Sequence, residues 1–495
     1  MEDILQQANS AGGGGWRSRI SALSPRRLTP SAALYALVAA GGLGVLALRI
    51  WLMLDLPLWL DETWTAVIAG QPTWSGFWRE VWLDANAPLY YLVMALAPGE
   101  GNFALRLPSL IFMIATPLLV LAWRMPGLSS EARIAWAALL FFWTPGLLLS
   151  ADARSYALLL LVGTAQTIAY ARLIEGPDLR RAALWCGLAG LAVATHYFAA
   201  WLALVQGLFY LGLHRGRALR TFPALLMLAP LAAWGLYHLP RLLVYARPEI
   251  AWYDRLSLRG AVDVAAFTVG PSLPFALILA ALLAASRLLP AQASGRGARW
   301  AAVAAATCLA WLLLLAMKQP FLTERYLTPL VPAMLLGVVL LARAPAGHAV
   351  VAALYLAAID PGEARNTLEI RARFGLEAPT RYLLAARPDA LTYSLGYAGA
   401  RVLDPGTMAQ VGSYFFAQAG QKVAATLVAT GADPTGELLA RAAGARPAII
   451  LLYRPAQRPD LRRIGAQWRC RNVTGYRSGV LACAPARLFA DGGRR

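Results

Sequence analysis

Residues 59–109 read WLDETWTAVIAGQPTWSGFWREVWLDANAPLYYLVMALAPGEGNFALRLPS. The stretch lies between two hydrophobic runs that are each long enough to cross a bilayer, and it concentrates acids, aromatic residues and prolines. Asp61, Glu62 and Asp84 lie beside these runs, where a charge is expensive and usually serves a function. The stretch therefore predicts a loop that carries chemistry and joins two membrane-spanning helices.

The composition of the whole chain is that of a polytopic membrane protein. Of 495 residues, 59% are hydrophobic and only 14% are charged, whereas soluble domains carry about 25% charged residues. The net charge of +19 comes almost wholly from arginine, because Lys318 and Lys422 are the only lysines. We attribute it to arginines that orient the helices in the membrane rather than to nucleic-acid binding, for which no motif is present.

A membrane-spanning helix needs roughly 20 apolar residues, and the sequence contains about eleven such runs. We therefore predict a helical membrane protein of about eleven spans. The predicted spans are 31–54, 106–124, 133–150, 155–172, 181–195, 197–213, 221–239, 271–288, 299–316, 327–343 and 346–359.

Arginine recurs in every second loop, which sets the orientation because cytoplasmic loops are rich in arginine and lysine. This predicts a cytoplasmic tail at 1–30 and a transmembrane module at 31–359 with an outer loop at 55–105. The apolar segment Pro88–Ala97 covers only half a bilayer at about 1.5 Å per residue. It is therefore predicted to be an interfacial helix in that loop, since counting it as a span would break the arginine pattern.

Beyond about residue 360 the apolar runs shorten to strand length, as in Ala390–Ser394 and Ala448–Tyr453. They alternate with helix-like stretches such as Pro379–Ala386 and Gly436–Ala443, which indicates a small α/β domain at 360–495 on the outer side. Because that side is oxidising, Cys470 and Cys483 are predicted to form a disulfide. Two free thiols are the alternative.

The acids of the outer loop are the candidate catalytic residues: Asp61, Glu62 and Asp84. A carboxylate at the membrane surface can act as a general base toward an acceptor hydroxyl or amine. A helix-end acid in contact with water would explain any one of them. It explains less well a whole set of ionisable residues at one membrane face.

Basic and hydrogen-bonding residues fall on the same predicted side. Arginine binds phosphate bidentately and lysine binds it as a point charge, and the candidates for phosphate binding are Arg106, Arg154, Lys318 and Arg325. The candidates for other substrate contacts are Asn86, Tyr90, Tyr156, His196 and Tyr197. Arginines and aromatic residues also anchor helices at the interface, which is the structural alternative. The cysteines and histidines lack the spacing of a zinc site.

Several short motifs occur in a fixed order and on one predicted side of the membrane. They are the acidic pair Asp61-Glu62, Asp84-Ala85-Asn86-Ala87-Pro88-Leu89-Tyr90-Tyr91, Arg106 to Ser109, Ala153 to Tyr156, Thr195 to Phe198, and Arg325-Tyr326 with Pro329 and Pro332. In this set the sequence resembles the GT-C superfamily of membrane glycosyltransferases, and within it the bacterial relatives of the lipid A aminoarabinose transferase and of the protein O-mannosyltransferases. It departs from their pattern at Asn86 and Ala87, where histidine and proline are usual.

The resemblance implies transfer of a sugar from a polyisoprenyl phosphate to a lipid, glycan or protein acceptor. Asp61 would act as base in an inverting displacement, and arginines such as Arg106 and Arg325 would neutralise the departing phosphate. It also implies a bacterial inner-membrane location, with the active site and the C-terminal domain in the periplasm. We expect no cofactor or metal, because no Asp-x-Asp pair or nucleotide-binding glycine loop is present.

Two other functions remain open from the sequence. A transporter or lipid flippase places charges near the middle of the bilayer on broken helices, often in repeated halves, whereas the charges here cluster at one face without a repeat. A non-catalytic envelope assembly subunit would explain the departures at Asn86 and Ala87.

Overall fold

The computed structural model describes residues 29–490, apart from 55, 98, 100, 248–249, 251–253, 292–293, 397, 432, 455–457 and 475–478. The predicted cytoplasmic tail therefore lies almost entirely outside the described residues. Helices dominate the part of the chain up to Ala357, and a small sheet with flanking helices follows.

The first part of the chain contains α1 (Pro30–Met53), α2 (Leu60–Ala69), α3 (Trp74–Leu83), α4 (Pro88–Leu96), α5 (Gly101–Ala122), α6 (Ser130–Phe142), α7 (Pro145–Ser150), α8 (Tyr156–Glu175), α9 (Leu179–Thr195), α10 (Ala199–His214), α11 (Gly216–Leu219), α12 (Ala229–Tyr245), α13 (Leu258–Phe267), α14 (Leu273–Ala285), α15 (Arg296–Ala316), α16 (Val331–Ala342) and α17 (Pro345–Ala357). Short 3₁₀ segments at Phe222–Leu228, Ser286–Leu288 and Glu324–Leu330 extend three of these helices.

Six helical segments of the described chain are long and apolar enough to cross a membrane: Pro30–Met53, Gly101–Ala122, Tyr156–Glu175, Phe222–Tyr245, Arg296–Ala316 and Glu324–Ala342. Three shorter apolar helices accompany them: Ala199–His214, Leu273–Leu288 and Pro345–Ala357. The chain is thus a multi-pass membrane protein. The predicted number of about eleven spans stays a prediction, because several helices are shorter than the runs suggested.

Breaks in the helices explain part of this shortening. The predicted span 133–150 is divided between α6 and α7 at Trp143 and Thr144, just before Pro145, because proline cannot donate the hydrogen bond that would continue the helix. The buried guanidinium of Arg49 on α1 donates to the carbonyl oxygens of Phe141 at 2.7 Å and Gly146 at 2.5 Å. Arg49 therefore satisfies backbone acceptors at the break, inside the apolar core of the bundle.

The outer loop folds into the three short helices α2, α3 and α4. The Thr73 hydroxyl accepts a hydrogen bond from the Gly76 N–H and caps α3, and Pro88 occupies the first turn of α4, where its missing N–H costs nothing. The segment predicted to be interfacial is thus a helix of only nine residues. Three helices in one loop create several helix ends on which polar side chains can be placed.

The C-terminal part contains α18 (Pro361–Ala372), α19 (Glu377–Leu383), β1 (Ala390–Ser394), α20 (Pro405–Gln418), β2 (Ala424–Leu427), α21 (Pro434–Arg441), β3 (Pro447–Tyr453), β4 (Trp468–Thr474), β5 (Gly479–Pro485) and α22 (Ala486–Ala490), with 3₁₀ segments at Leu384–Ala386, Ala398–Val402 and Leu461–Arg463. The strand order is β2-β1-β3-β5-β4. β1 pairs in parallel with β2 and β3, whereas β5 pairs antiparallel with β3 and β4. β3 is buried along most of its length, as its unbroken apolar sequence requires.

Cys470 on β4 lies directly opposite Cys483 on β5 in the register of the sheet. The two residues form a disulfide bond that links these neighbouring strands. The other two cysteines, Cys186 and Cys308, are buried free thiols in the helical part.

The sheet part shares an apolar core with the outer loop. Leu58, Leu60 and Val67 belong to the same buried cluster as Leu376 and Phe416. The C-terminal part therefore packs on the start of α2, which is where the sequence places the acidic pair.

Candidate active site

The entry into α2 is fixed by backbone hydrogen bonds to the C-terminal part. The Leu58 N–H donates to the Glu377 carboxylate at 2.6 Å, and the Leu60 N–H donates to the Phe374 carbonyl at 3.2 Å. Asp61 and Glu62 then lie in the first turn of α2, where the helix dipole favours negative charge. Residues far apart in sequence thus set the position of the acidic pair.

Glu62 is buried and fully engaged. Its carboxylate accepts hydrogen bonds from Arg106 Nε at 2.7 Å and Nη2 at 2.6 Å, and from the Ala153 N–H at 2.9 Å. Arg106 also donates to the carbonyl oxygens of Leu56 and Pro57. Only 1% of the Glu62 side chain and 3% of the Arg106 side chain are exposed.

This geometry bears on two expectations. Glu62 was a candidate catalytic acid and Arg106 a candidate phosphate ligand, and in the structure each is the buried partner of the other. Breaking a buried ion pair leaves an uncompensated charge, which is costly. The pair therefore holds α5, α2 and the Ala153 turn together, and the two predicted roles stay predictions.

Asp61 has a different environment. Its side chain is 29% exposed, and its Oδ2 lies 3.8 Å from Arg154 Nη2 and 3.7 Å from Arg325 Nη2. Arg154 comes from the turn before α8, and Arg325 from the 3₁₀ segment before α16. These distances are ion pairs rather than close hydrogen bonds. The predicted base and two of the predicted phosphate ligands are thus brought together.

Trp59, at the N-terminus of α2, links this cluster to Asp152. Its indole Nε1 donates to Asp152 Oδ1 at 3.0 Å, while Arg371 Nη1 donates to Asp152 Oδ2 at 3.0 Å. The guanidinium carbons of Arg325 and Arg371 lie 5.3 and 5.2 Å from the centroid of the Trp59 ring, which is within cation–π range. Burial raises the pKa of Asp152 to about 6, although the charge of Arg371 opposes this shift.

Asp84 ends α3 and anchors a second polar group. Its Oδ2 accepts hydrogen bonds from Tyr91 Oη at 2.6 Å and from Asn86 Nδ2 at 2.8 Å. Asn86 therefore contributes a neutral hydrogen bond at the place where histidine is usual in the resembled proteins. Arg154 interacts electrostatically with both Asp61 and Asp84, so the two predicted acids share one neighbouring cation.

The substrate-contact candidates divide into two groups. The His196 ring packs against Tyr156, and burial together with Arg154 and Arg325 lowers the pKa of His196 to about 3. His196 is therefore a neutral neighbour of the cations. Tyr197 instead bonds to His238, which contacts the backbone carbonyl of Asp84.

Two predicted residues make no direct bond to Asp61 or its two arginines among the described contacts. Tyr90 is buried, its hydroxyl is hydrogen-bonded to Ser109 at 3.3 Å, and it interacts electrostatically with Asp152, Arg154 and Glu62. Lys318 follows the end of α15 as an exposed side chain. Across the described residues no ion pair joins Lys318 to an acid of the site.

The sequence matches no family model and no curated protein. Among solved structures the fold is similar to ArnT from Cupriavidus metallidurans bound to undecaprenyl phosphate, with a TM-score of 0.53, 13% identity and coverage of 90% of this chain and 97% of the other. The apo form of the same protein gives a TM-score of 0.51, 12% identity and coverage of 90% and 98%. The chain has the ArnT fold. This confirms the fold that the resemblance to the aminoarabinose transferase implied.

Within this ArnT-type fold, sequence reasoning missed Arg371, and it placed Asp152 at the same membrane face as the other ionisable residues without giving it a role. Asp152 directly precedes the recognised Ala153–Tyr156 motif, so its position was a usable signal. Arg371 lies on α18, beyond the predicted membrane module, and no motif pointed to it. Its contact with Asp152 spans 219 positions of the chain and required knowledge of how the C-terminal part packs.

The cluster combines one half-buried carboxylate with two flanking guanidinium groups, one of which also lies against the rings of Trp59 and Tyr156. Such an arrangement can bind an anion next to a group that accepts a proton. In the described part of the chain no group of three His, Cys, Asp or Glu side chains is arranged to hold a metal ion. The expectation that no metal is used stays a prediction.

Proposed function

We propose that this protein is a membrane glycosyltransferase that moves a sugar from a polyisoprenyl phosphate to an acceptor. The observation that carries the proposal is the placement of Asp61 within 4 Å of both Arg154 and Arg325. The ArnT fold supports it, because a solved protein of this fold is bound to undecaprenyl phosphate. The acceptor class is a lipid, a glycan or a protein.

In the proposed reaction, Asp61 takes the proton of the acceptor hydroxyl or amine as the acceptor atom attacks the anomeric carbon. The bond between that carbon and the phosphate oxygen breaks, and polyisoprenyl phosphate leaves with the bonding electrons. Displacement from the opposite side inverts the configuration of the sugar. Arg154 and Arg325 stabilise the negative charge of the leaving phosphate.

Asp84 and its partners are proposed to lie on the acceptor side. Tyr91 and Asn86 fix the Asp84 carboxylate, and Arg154 lies between Asp84 and Asp61 in its electrostatic contacts. No cofactor is invoked, since two arginines supply the positive charge. We place the site, the outer loop with α2–α4 and the C-terminal part on the periplasmic side of a bacterial inner membrane, which the long apolar helices cross.

The test uses the full chain in lipid nanodiscs with undecaprenyl-phosphate-linked sugars carrying a radiolabel. Lipid A, envelope glycans and envelope proteins serve as acceptors. We expect label to enter one acceptor class, with one undecaprenyl phosphate released per sugar. Transfer is expected to be lost in Arg325→Gln and kept in Arg373→Gln, since Arg373 is an exposed arginine at the end of α18.

Two results would contradict the proposal. The first is unchanged donor with every acceptor. The second is movement of intact donor across the bilayer of proteoliposomes without cleavage, which would make the protein a flippase.

A further inference from the structure

Arg371 connects the C-terminal part of the chain to the polar cluster. It lies in the last turn of α18, which follows the final apolar helix α17. Its side chain is one quarter exposed, and its Nη1 lies 3.0 Å from the Oδ2 of the almost fully buried Asp152. Arg371 is connected to Asp61 through Trp59 and Arg325: the guanidinium groups of Arg371 and Arg325 both approach the Trp59 ring, and Arg325 pairs with Asp61.

The contacts form a continuous chain of charge and ring interactions. Arg371 donates a hydrogen bond to one carboxylate oxygen of Asp152, and the other oxygen accepts a hydrogen bond from the indole N–H of Trp59. The guanidinium of Arg325 lies over the Trp59 ring, and Arg325 forms an ion pair with Asp61. Each link fixes the position of the next.

The first link matters most because Asp152 is buried. A buried carboxylate stays ionised only when it is paired. The charged groups facing it are Arg371 from α18, Arg154 from its own turn, Arg106 from α5 and the like charge of Glu62 from α2. Arg106 is already saturated by Glu62, so loss of Arg371 removes the nearest opposing charge.

We propose that Arg371 is a positioning residue of this site. It keeps the Asp152 carboxylate hydrogen-bonded to Trp59, and Trp59 in turn orients Arg325 to bind the phosphate of the lipid donor. The inference rests on the proposed function of the Asp61 cluster. It assigns the C-terminal part a direct role in donor affinity, since α18 supplies the residue. Arg371 acts through Asp152 and Trp59 and does not touch the reacting atoms.

The test measures binding of undecaprenyl phosphate to the full chain in nanodiscs, and separately the kinetics of sugar transfer. Arg371→Gln is compared with Arg371→Lys and with Arg365→Gln. Arg365 is a matched control: it lies on the same helix, pairs with Glu369 at 2.9 Å and approaches the Trp51 ring to 5.4 Å. Melting temperatures report folding of each variant.

For Arg371→Gln we expect about tenfold weaker binding of undecaprenyl phosphate, the factor that corresponds to about 1.4 kcal/mol. The KM for the donor is expected to rise similarly, while the KM for the acceptor changes less than twofold. Arg371→Lys is expected to bind undecaprenyl phosphate more tightly than Arg371→Gln but more weakly than the wild type. Arg365→Gln is expected to bind it as tightly as the wild type. The effects of Arg371→Gln and Asp152→Asn are expected to be non-additive, because both break one link.

The inference is overturned if Arg371→Gln binds like the wild type, or if Arg365→Gln weakens binding equally. Equal rises in the KM of donor and acceptor would also overturn it. If the wild type transfers sugar while Arg371→Gln is unchanged, the inference alone fails. If the wild type neither binds undecaprenyl phosphate nor transfers sugar, the proposed function fails and the inference with it.

Discussion

At the residue scale, the two acids of the Asp61-Glu62 pair have opposite environments. Glu62 is closed off by Arg106 and the Ala153 N–H, whereas Asp61 keeps about a third of its side chain exposed and pairs with its arginines at longer distance. The long ion pairs leave the guanidinium groups able to turn toward a phosphate. Adjacent residues in a helix point in different directions, which is why only one acid faces the site.

The Glu62–Arg106 pair is expected to matter for stability more than for phosphate binding. Arg106→Gln should lower the free energy of unfolding by about 3–5 kcal/mol, because it leaves the Glu62 charge buried without its partner. Arg154→Gln should change stability much less. Reversible unfolding in mixed micelles measures the difference, and equal stability losses in the two variants would show that Arg106 has no special structural role.

Protonation of Asp152 is expected to weaken the binding of undecaprenyl phosphate at acid pH. Burial raises the pKa of Asp152 to about 6, so its ion pair with Arg371 is present above pH 6 and lost below it. Undecaprenyl phosphate affinity should therefore fall as the pH drops from 7 to 5. The contribution of Asp152 to the free energy of unfolding should instead increase as the pH drops from 7 to 5, because the folded state binds the proton more tightly than the unfolded state.

A titration of donor affinity against pH checks this expectation in the wild type and in Asp152→Asn. The variant should bind more weakly at pH 7 and should show a smaller change near pH 6, where only the second ionisation of the ligand phosphate, with a pKa of about 6, remains. An identical acid limb in the variant would assign the titration to another group.

At the element scale, α12 holds the end of α3. His238, Arg241 and Tyr245 lie on one face of α12, and their side chains bond to the backbone carbonyls of Trp82, Leu83 and Asp84. Carbonyls at a helix end lack partners within the helix. The face of α12 therefore supplies the C-terminal cap of α3 and orients the Asp84 turn.

Removing part of this cap is expected to loosen the Asp84 turn. Arg241→Gln removes the bond from Nε to the Leu83 carbonyl at 2.8 Å and the bond to Val402. A net value of about 1 kcal/mol for a hydrogen bond predicts roughly five- to tenfold faster amide exchange at residues 82–86. Arg247→Gln serves as the control in hydrogen-exchange mass spectrometry, and unchanged exchange in Arg241→Gln would contradict the capping role.

At the scale of the whole molecule, the C-terminal part builds the entry into α2. Glu377 accepts hydrogen bonds from the Leu58 N–H and from Asn102 Nδ2, and Leu376 belongs to the same apolar cluster as Leu58. Contacts from both the helical part and the sheet part therefore determine the position of Asp61. A substitution in the sheet part should thus change binding at the Asp61 site.

Glu377→Ala is expected to weaken undecaprenyl phosphate binding about tenfold and to lower the melting temperature, since it leaves buried donors without an acceptor. Glu437→Ala is the matched control, because its carboxylate also accepts a backbone N–H, that of Gly431, but in an exposed position. Binding measured in nanodiscs should distinguish the two. Equal affinities would show that the two parts act independently.

Local patterns in the sequence predicted much of this fold. Long apolar runs located the helices and short apolar runs located β1 and β3, because the length of an apolar run is a local property of the sequence. The strands β2, β4 and β5 were missed: β2 is only four residues long, and Arg469 and Arg471 interrupt the apolar pattern of β4. The break before Pro145 was missed although the proline is a local signal for it, whereas the bonds from Arg49 to the carbonyls of Phe141 and Gly146 join residues that are distant in sequence.

The site was predictable where motifs lie on helix ends that meet at one membrane face, as for Asp61, Arg154 and Arg325. It was not predictable where a tertiary partner decides the role. Arg106 has the sequence context of a phosphate ligand, yet the nearby Glu62 occupies it. Arg371 has no motif and acquires its role only through the packing of α18 beside the turn that carries Asp152.

The central claim is that Asp61 is the base of a lipid-linked sugar transferase. The most direct measurement is the single-turnover rate of sugar transfer from undecaprenyl-phosphate-linked donor by the wild type, by Asp61→Asn and by the control Glu363→Gln, a first-turn acid of α18. Loss of a general base should slow transfer by about 10²–10⁴-fold in Asp61→Asn while undecaprenyl phosphate still binds, and Glu363→Gln should match the wild type. Equal transfer rates in the wild type and Asp61→Asn would contradict the claim.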